Sequence, residues 1–296
     1  MSPRTSRACE FLRGPGTRIA DRRLSRLRSC NEDCWHGRWN LLMTEDPDDF
    51  AGMRAIVTGG GAGIGLAAAR VLSRRGARVA CLDLDPRDVD APLAGIICDV
   101  ADDASVRAAV ARAAQALGGI DIVINNAGVG ARGDIDANSD AEWHRLFDIN
   151  VLGMVRTGRA ALAWLRRSSH ASIVNVGSTV ATVGLPDRVL YSATKGAIAA
   201  MSRAMAADFI DLPIRVNCVM PGVVDTAWQQ RAVAAAPDPA ARMAQLRGLQ
   251  PTGAMVSVNE VADAIAYLAG PQSRSTTGIE LVVDGGLTSL RTALRA

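Results

Sequence analysis

The chain has 296 residues, 49% of them hydrophobic, and 33 basic side chains against 30 acidic ones, for a net charge of +3. That length buries a sizeable core in one domain plus a tail, and no apolar run approaches the roughly 18 to 20 residues that a membrane helix needs. Divided along the chain, the charge is +5 over residues 1–42 and −2 over residues 43–296, so the body lacks the concentrated cationic face that nucleic acid requires.

Residues 1–42 hold nine arginines and four acids without sustained periodicity. Residues 1–49 therefore read as a disordered extension with Met43 as an alternative start, and an Arg- and Ser-rich transit peptide is the other reading. Cys30, Cys34 and His36 have no fourth ligand at zinc-like spacing, so no metal is expected. From 50 to 296 short apolar runs alternate with Ala-rich segments. Strands are predicted near 54–58, 78–83, 95–99, 120–125, 171–176, 214–220 and 280–283, and helices near 63–75, 102–117, 139–165, 189–210 and 258–269. The alternation predicts an α/β fold, a doubly wound parallel sheet of about seven strands with helices on both faces, in a single domain. The segment 226–250 breaks the rhythm with Pro237 and Pro239 and suits a helical lid over a substrate cleft. Cys81, Cys98 and Cys218 fall in predicted strands and read as reduced core residues, which implies a cytoplasmic setting.

The first strand ends in Gly59-Gly60-Gly61-Ala62-Gly63-Ile64-Gly65 and a helix follows. Glycine is needed where the backbone turns sharply and where N–H groups must approach a pyrophosphate at a helix N-terminus. An acid stands about twenty positions later, Asp83 at the end of the second strand, where a carboxylate accepts hydrogen bonds from ribose hydroxyls and repels a 2′-phosphate. Ala62 and Leu84 occupy the places where a phosphate-binding base would stand. NAD is therefore favoured over NADP.

The chain has one lysine, Lys195, and two tyrosines, Tyr191 and Tyr267. Chance placement would put that lysine four residues after a tyrosine less than about one time in a hundred. In a helix the spacing sets ammonium and phenol on one face. A phenol titrating near 10 is a poor base at neutral pH, and a fixed cation beside it favours the phenolate.

Together, TGGGAGIG (Thr58 to Gly65), NNAG (Asn125 to Gly128), Asn150, Ser178, YSATK (Tyr191 to Lys195) and PGVVDT (Pro221 to Thr226) resemble the short-chain dehydrogenase/reductase family. The likeness runs from about Met53 to Leu287 and follows the branch with about 250-residue subunits. It implies a Rossmann-type fold and hydride transfer between a secondary alcohol, or its ketone, and NAD. By this resemblance Tyr191 is the general acid/base, Ser178 orients the substrate oxygen, Lys195 bonds the nicotinamide ribose and tunes Tyr191, and Asn150 holds a relay water. It also implies cofactor contacts at Gly59, Gly61, Gly63, Ile64, Gly65, Asp83, Leu84, Asp99, Val100, Asn126, Ala127, Gly128, Pro221, Gly222, Val224 and Thr226, and a homotetramer or homodimer with the Tyr191 helix and the strand at Leu281 to Val283 at interfaces.

The C-terminal third looks most like members acting on small hydroxy or keto acids, such as type 2 3-hydroxybutyrate dehydrogenases and 2-keto-3-deoxy sugar-acid dehydrogenases. In these an arginine three positions before the tyrosine binds the carboxylate. Arg188 stands there, with Arg231 and Arg247 near the place of a second lid arginine, while the usual Thr-Gly-Arg reads Thr252-Gly253-Ala254. The alternative for Arg188 is a solvated loop charge beside a more apolar alcohol site. Two other readings stay open: a reductase of 3-oxoacyl thioesters or neutral ketones, and a catalytically silent NAD-binding sensor on the same fold.

Overall fold

The sheet grows outward from its most buried strand. β1 (Arg54–Thr58) sends Ala55 and Val57 to one face and Ile56 to the other, all three fully buried. β2 (Arg78–Asp83) and β5 (Ala171–Val176) repeat that alternation, which is the two-residue period of a strand covered on both sides. With β3 (Ala94–Ile97), β4 (Ile122–Asn125), β6 (Ile214–Pro221) and β9 (Glu280–Val283) they form one parallel sheet in the order β3-β2-β1-β4-β5-β6-β9. The computed structural model describes residues 48–291. The expectations for the N-terminal tail, including a start at Met43 and the cluster Cys30, Cys34 and His36, lie outside the described residues.

Helices α1 (Gly63–Arg74) and α8 (Val258–Ala269) cover one face, while α2 (Asp103–Leu117), α4 (Gly153–Leu165) and α5 (Val189–Asp208) cover the other. Each fully buried Val, Ile or Leu in these layers contributes about 1.5–3 kcal/mol. Local chemistry sets the helix ends. Asp102 caps α2 by accepting from the Ala104 N–H and a left-handed Gly118 ends it, while Ser257 and Glu260 form a capping box on α8. Chain order reverses between β1 and β4, so the crevice of this Rossmann-type fold opens at the C-terminal ends of those two strands.

Several expectations need correction. The single helix predicted over 139–165 is two helices, α3 (Asp140–Phe147) and α4, joined by a π-helical turn at Asp148–Leu152. One extra residue in a turn leaves the apolar period almost unchanged, so the sequence pattern does not betray it. Arg156 braces the widened turn by donating to the Asp148 carboxylate (2.6 Å) and the Val100 carbonyl (3.0 Å). The third strand ends at Ile97, two residues early, and the fourth begins at Ile122. Segment 226–250 holds α6 (Ala227–Ala234) and α7 (Pro239–Gly248), flanked by the paired two-residue strands β7 (Val224–Asp225) and β8 (Val256–Ser257), too short to leave a signal in sequence.

The folded unit also reaches two residues earlier than the boundary expected at residue 50. Asp48 to Phe50 form a turn in which Phe50 is fully buried under Arg75 and Asp49 pairs with Arg75. At the opposite end of the sheet from the crevice, Arg54 grips Asp121 through paired nitrogens (2.7 and 2.8 Å), and Ser168 donates to the same carboxylate (2.6 Å). Burial pushes the Asp121 carboxyl up, but the hydrogen bonds from Arg54 and Ser168 together hold it below its ordinary range. Cys81, Cys98 and Cys218 are buried free thiols, as expected, and burial pushes them up to about 12, 11 and 11.

Candidate active site

The nucleotide end of the crevice is made of backbone packed against backbone. Gly59 has φ +62° and donates its N–H to Leu82 O (2.8 Å), and a Cβ on Gly65 would run into the carbonyl oxygen of Gly59. Helix α1 then begins at Gly63 and Ile64 with Ala62 as its N-cap, no capping side chain and no acid in the first turn. That leaves N–H groups at the positive end of the helix dipole, where an anionic diphosphate is stabilised. Asp83 accepts from the Gly61 N–H (2.8 Å) and the Asp85 N–H (3.1 Å), which aims its carboxylate along the glycine turn, with Leu84 exposed beside it. The residues present fit a dinucleotide: a close-packed cradle, an uncapped helix start and a carboxylate at its rim.

Other predicted contacts gather around the same crevice. Asp99 accepts from the Ala101 N–H (2.9 Å), and buried Val100 packs where α4 begins at Gly153. Asn126 donates to the carbonyls of Thr58 (3.1 Å) and Gly59 (3.0 Å), while the Thr58 hydroxyl accepts from the N–H groups of Asn126 (3.1 Å) and Ala127 (3.2 Å). This segment therefore holds the glycine turn in shape, a task the sequence reading did not give it. Pro221 closes β6, Gly222 donates to Val283 O (2.9 Å), and Val224 pairs with Val256. Thr226 caps α6, and a Cβ on Gly63 would lie 3.8 Å from its methyl, so this segment faces the glycine turn.

Tyr191 and Lys195 share one face of α5, with the Lys195 Nζ 5.6 Å from the centroid of the Tyr191 ring. Lys195 is buried and donates to Val176 O (2.9 Å), so its ammonium is pinned to the end of β5. Ser178 lies two residues beyond Val176, buried, capping the short 3₁₀ turn Thr179–Ala181 that packs on α5. Asn150 sits in the π turn, fully buried. Its Oδ1 accepts from the Val129 N–H (2.8 Å) and its Nδ2 donates to Val129 O (2.9 Å) and Thr194 Oγ1 (3.2 Å). The Thr194 hydroxyl donates in turn to Tyr191 O (2.8 Å). The Asn150 side chain thus ties loop and helix together.

Around the start of α5 the predicted Arg188 is joined by residues that the sequence reading missed, Arg132, Arg242 and Gln250. Arg188 is half-buried at the N-cap of α5 and donates to Ala131 O (3.4 Å) and Asp187 O (2.9 Å). Burial pushes its guanidinium pKa down, and the charges of Arg132 and Arg242 push it further. Arg231 and Arg247, the lid arginines expected near it, are exposed and do not figure in that effect. Gln250, nearly inaccessible, accepts from the Val223 N–H (3.2 Å) and donates to Ala254 O, anchoring the chain as it leaves α7. Among the described residues no group of His, Cys, Asp and Glu could hold a metal ion, and no helix is long and apolar enough to cross a membrane.

Comparison with known proteins agrees with this geometry. Residues 59–288 match the family model described as enoyl-(acyl carrier protein) reductase. The chain is 36% identical over 245 residues to 2-(S)-hydroxypropyl-CoM dehydrogenase 3 of Xanthobacter autotrophicus, covering 79% of this chain and 96% of that one. It is 36% identical over 244 residues to the L-fucose dehydrogenase of Bos taurus, with 80% and 90% coverage. The ligand-free aldohexose dehydrogenase of Thermoplasma acidophilum superposes with a TM-score of 0.77 at 30% identity, over 83% of this chain and 99% of that structure. With the glycine turn, the Tyr191–Lys195 pair and the sheet order all in place, the chain belongs to the short-chain dehydrogenase/reductase family and is an oxidoreductase acting on CH–OH groups.

Proposed function

We propose that the protein interconverts a secondary alcohol and its ketone with NAD as cofactor, and that Tyr191 exchanges the proton of the substrate oxygen. The observation that carries this reading is the Lys195 ammonium, pinned by Val176 O and held beside the Tyr191 ring at the mouth of the crevice. When bound, NAD supplies the acceptor for the hydride leaving the carbinol carbon. As that hydride leaves, the oxygen's proton passes to the Tyr191 phenolate, and Lys195 offsets the negative charge on the phenolate that waits for it. Ser178 hydrogen-bonds the same substrate oxygen and fixes its direction. Asn150 is a positioning residue, acting through Thr194 on the turn of α5 that carries Tyr191.

For the cofactor, the uncapped start of α1 would hold the diphosphate and Asp83 the adenosine ribose hydroxyls, which favours NAD over NADP because a 2′-phosphate would meet the Asp83 carboxylate. Asp99 and Val100 flank the adenine, and Thr226 with Pro221 and Gly222 faces the carboxamide end. Helices α6 and α7 form the lid that keeps water from the reacting atoms. Arg188, three residues before Tyr191, binds the substrate. Reduced buried thiols favour a cytoplasmic setting, and the exposed apolar side chains of Val189 on α5 and Val282 on β9 favour a homotetramer or homodimer.

The test is the variant Tyr191→Phe, which removes one hydroxyl. NADH fluorescence titration should give an unchanged affinity, while NAD-coupled oxidation of secondary alcohols should fall by about 10³-fold or more. Turnover that survives the substitution removes Tyr191 from the reaction.

A further inference from the structure

The π turn between α3 and α4 is gripped from two sides, and the two grips belong to different parts of the crevice. On the outer side the guanidinium of Arg156 spans two segments. Its Nη1 donates to Val100 O (3.0 Å) and Asp148 O (3.3 Å), and its Nη2 donates to Asp148 Oδ1 (2.6 Å). Asp148 O is also the carbonyl that accepts from the Gly153 N–H five residues on, the hydrogen bond that makes this a π turn. Val100 is pressed against the same place, since a Cβ on Gly153 would lie 3.0 Å from Val100 Cβ and 3.1 Å from Val100 Cγ2. The loop after β3 and the start of α4 therefore leave each other no room to shift independently.

On the inner side Asn150, two residues past Asp148 and fully buried, holds both backbone groups of Val129 and donates to Thr194 Oγ1, which donates to Tyr191 O. Val100 and Tyr191 are thus joined through Arg156, the π turn and Thr194. A π turn has a discrete alternative: giving up its extra residue would rotate one side against the other by about 100°. Asn150 would then lose its hold on Val129 and Thr194 together. A guanidinium suits the outer position, because its planar fork serves acceptors on two segments at once while an ammonium is a point charge. The Arg156 side chain is only 17% exposed, so it is not a solvated charge whose ion pair counts for little.

We propose that Arg156 is a positioning residue that couples the adenine end of the nucleotide site to Tyr191. A nucleotide seated on Asp99 and Val100 steadies the π turn through Arg156, and the π turn steadies the turn of α5 that carries Tyr191 through Asn150 and Thr194. The proposal rests on the proposed placement of NAD and the proposed role of Tyr191, and it adds a route by which one end of the cofactor prepares the reacting end. Arg156 itself touches neither substrate nor nicotinamide in this scheme.

ADP tests the adenine end alone, because it carries the adenine, its ribose and the diphosphate but neither the second ribose nor the nicotinamide. Hydrogen–deuterium exchange is followed by mass spectrometry in wild type, Arg156→Lys and Thr194→Val, with and without saturating ADP, and calorimetry reports whether ADP binds. In wild type ADP should slow exchange over 147–153 and 189–195 by about threefold or more. Arg156→Lys keeps a cation beside Asp148 without the fork that reaches Val100, so it should bind ADP and lose both responses. Thr194→Val keeps the packing at the inner end; it should lose the response over 189–195 and keep the one over 147–153, and it decides the matter should Arg156→Lys fail to fold. A wild type that binds ADP with neither response overturns the proposal, as does either response surviving in Arg156→Lys or the 189–195 response surviving in Thr194→Val. ADP that does not bind removes the nucleotide site and the coupling with it. Turnover retained by Tyr191→Phe would instead count against the chemistry assigned to the tyrosine, and the exchange responses are read without turnover.

Discussion

At the nucleotide end of the cleft, β1, the glycine turn and α1 follow one another without interruption, and the contacts that shape them are mostly backbone to backbone. Around the start of α5, by contrast, Arg132, Arg188 and Arg242 come from a loop after β4, the N-cap of α5 and α7, more than fifty residues apart in each step. The first region is held because each group has one place to go; the second is assembled from long side chains supplied by separate segments. A scaffold of this kind can keep one cofactor while changing its substrate by exchanging a few side chains in separate segments.

The comparison can be broken most forcefully at Gly65. In Gly65→Ala the new methyl collides with Gly59 O, so NADH affinity measured by fluorescence should drop by about 100-fold or more. Near-normal affinity would mean that the cradle is softer than the backbone contacts imply. A smaller effect is expected from Asp83→Ala, which should shift the NAD/NADP ratio of kcat/KM toward NADP by about tenfold to 100-fold; an unchanged ratio would detach Asp83 from cofactor choice.

The smallest effect sharpens the comparison by touching neither end. Asp121→Asn should cost about 2 kcal/mol of stability at pH 7 with kcat/KM unchanged, since Asp121 lies at the end of the strands opposite the crevice. Its carboxyl is held below its unfolded value, so the stabilisation is present above about pH 4 and is lost as pH falls through the folded value. Urea midpoints of wild type and variant should therefore converge below that pH, and parallel curves would remove the ion pair from the account.

How much of this was legible in the sequence follows the same division. The seven strands of the sheet, the glycine turn and the Tyr191–Lys195 face are written in contiguous residues with a clear period, and each stands within two or three residues of its expected place. The π turn is hidden because a single added residue barely disturbs the apolar pattern. Thr194, Gln250, Arg132 and Arg242 were not singled out because nothing near them in the chain announces their partners. Thr194 depends on Asn150, 44 residues away, and Gln250 on Val223, 27 residues away. In an Arg-rich chain with one lysine, only the fold distinguishes Arg242 from Arg231 and Arg247 as the residue whose charge Arg188 feels.

The three strand-associated thiols bear on how the enzyme meets oxidants and electrophiles. The reactive form of cysteine is the thiolate, and groups raised to about 11 or 12 keep almost none of it at neutral pH. Cys218 lies close enough to Lys195 for the ammonium to pull its value down, yet burial outweighs that pull. An alkylating reagent or peroxide would reach these sulfurs only after the sheet has opened, so damage at Cys81, Cys98 or Cys218 would record past unfolding and leave the working enzyme untouched.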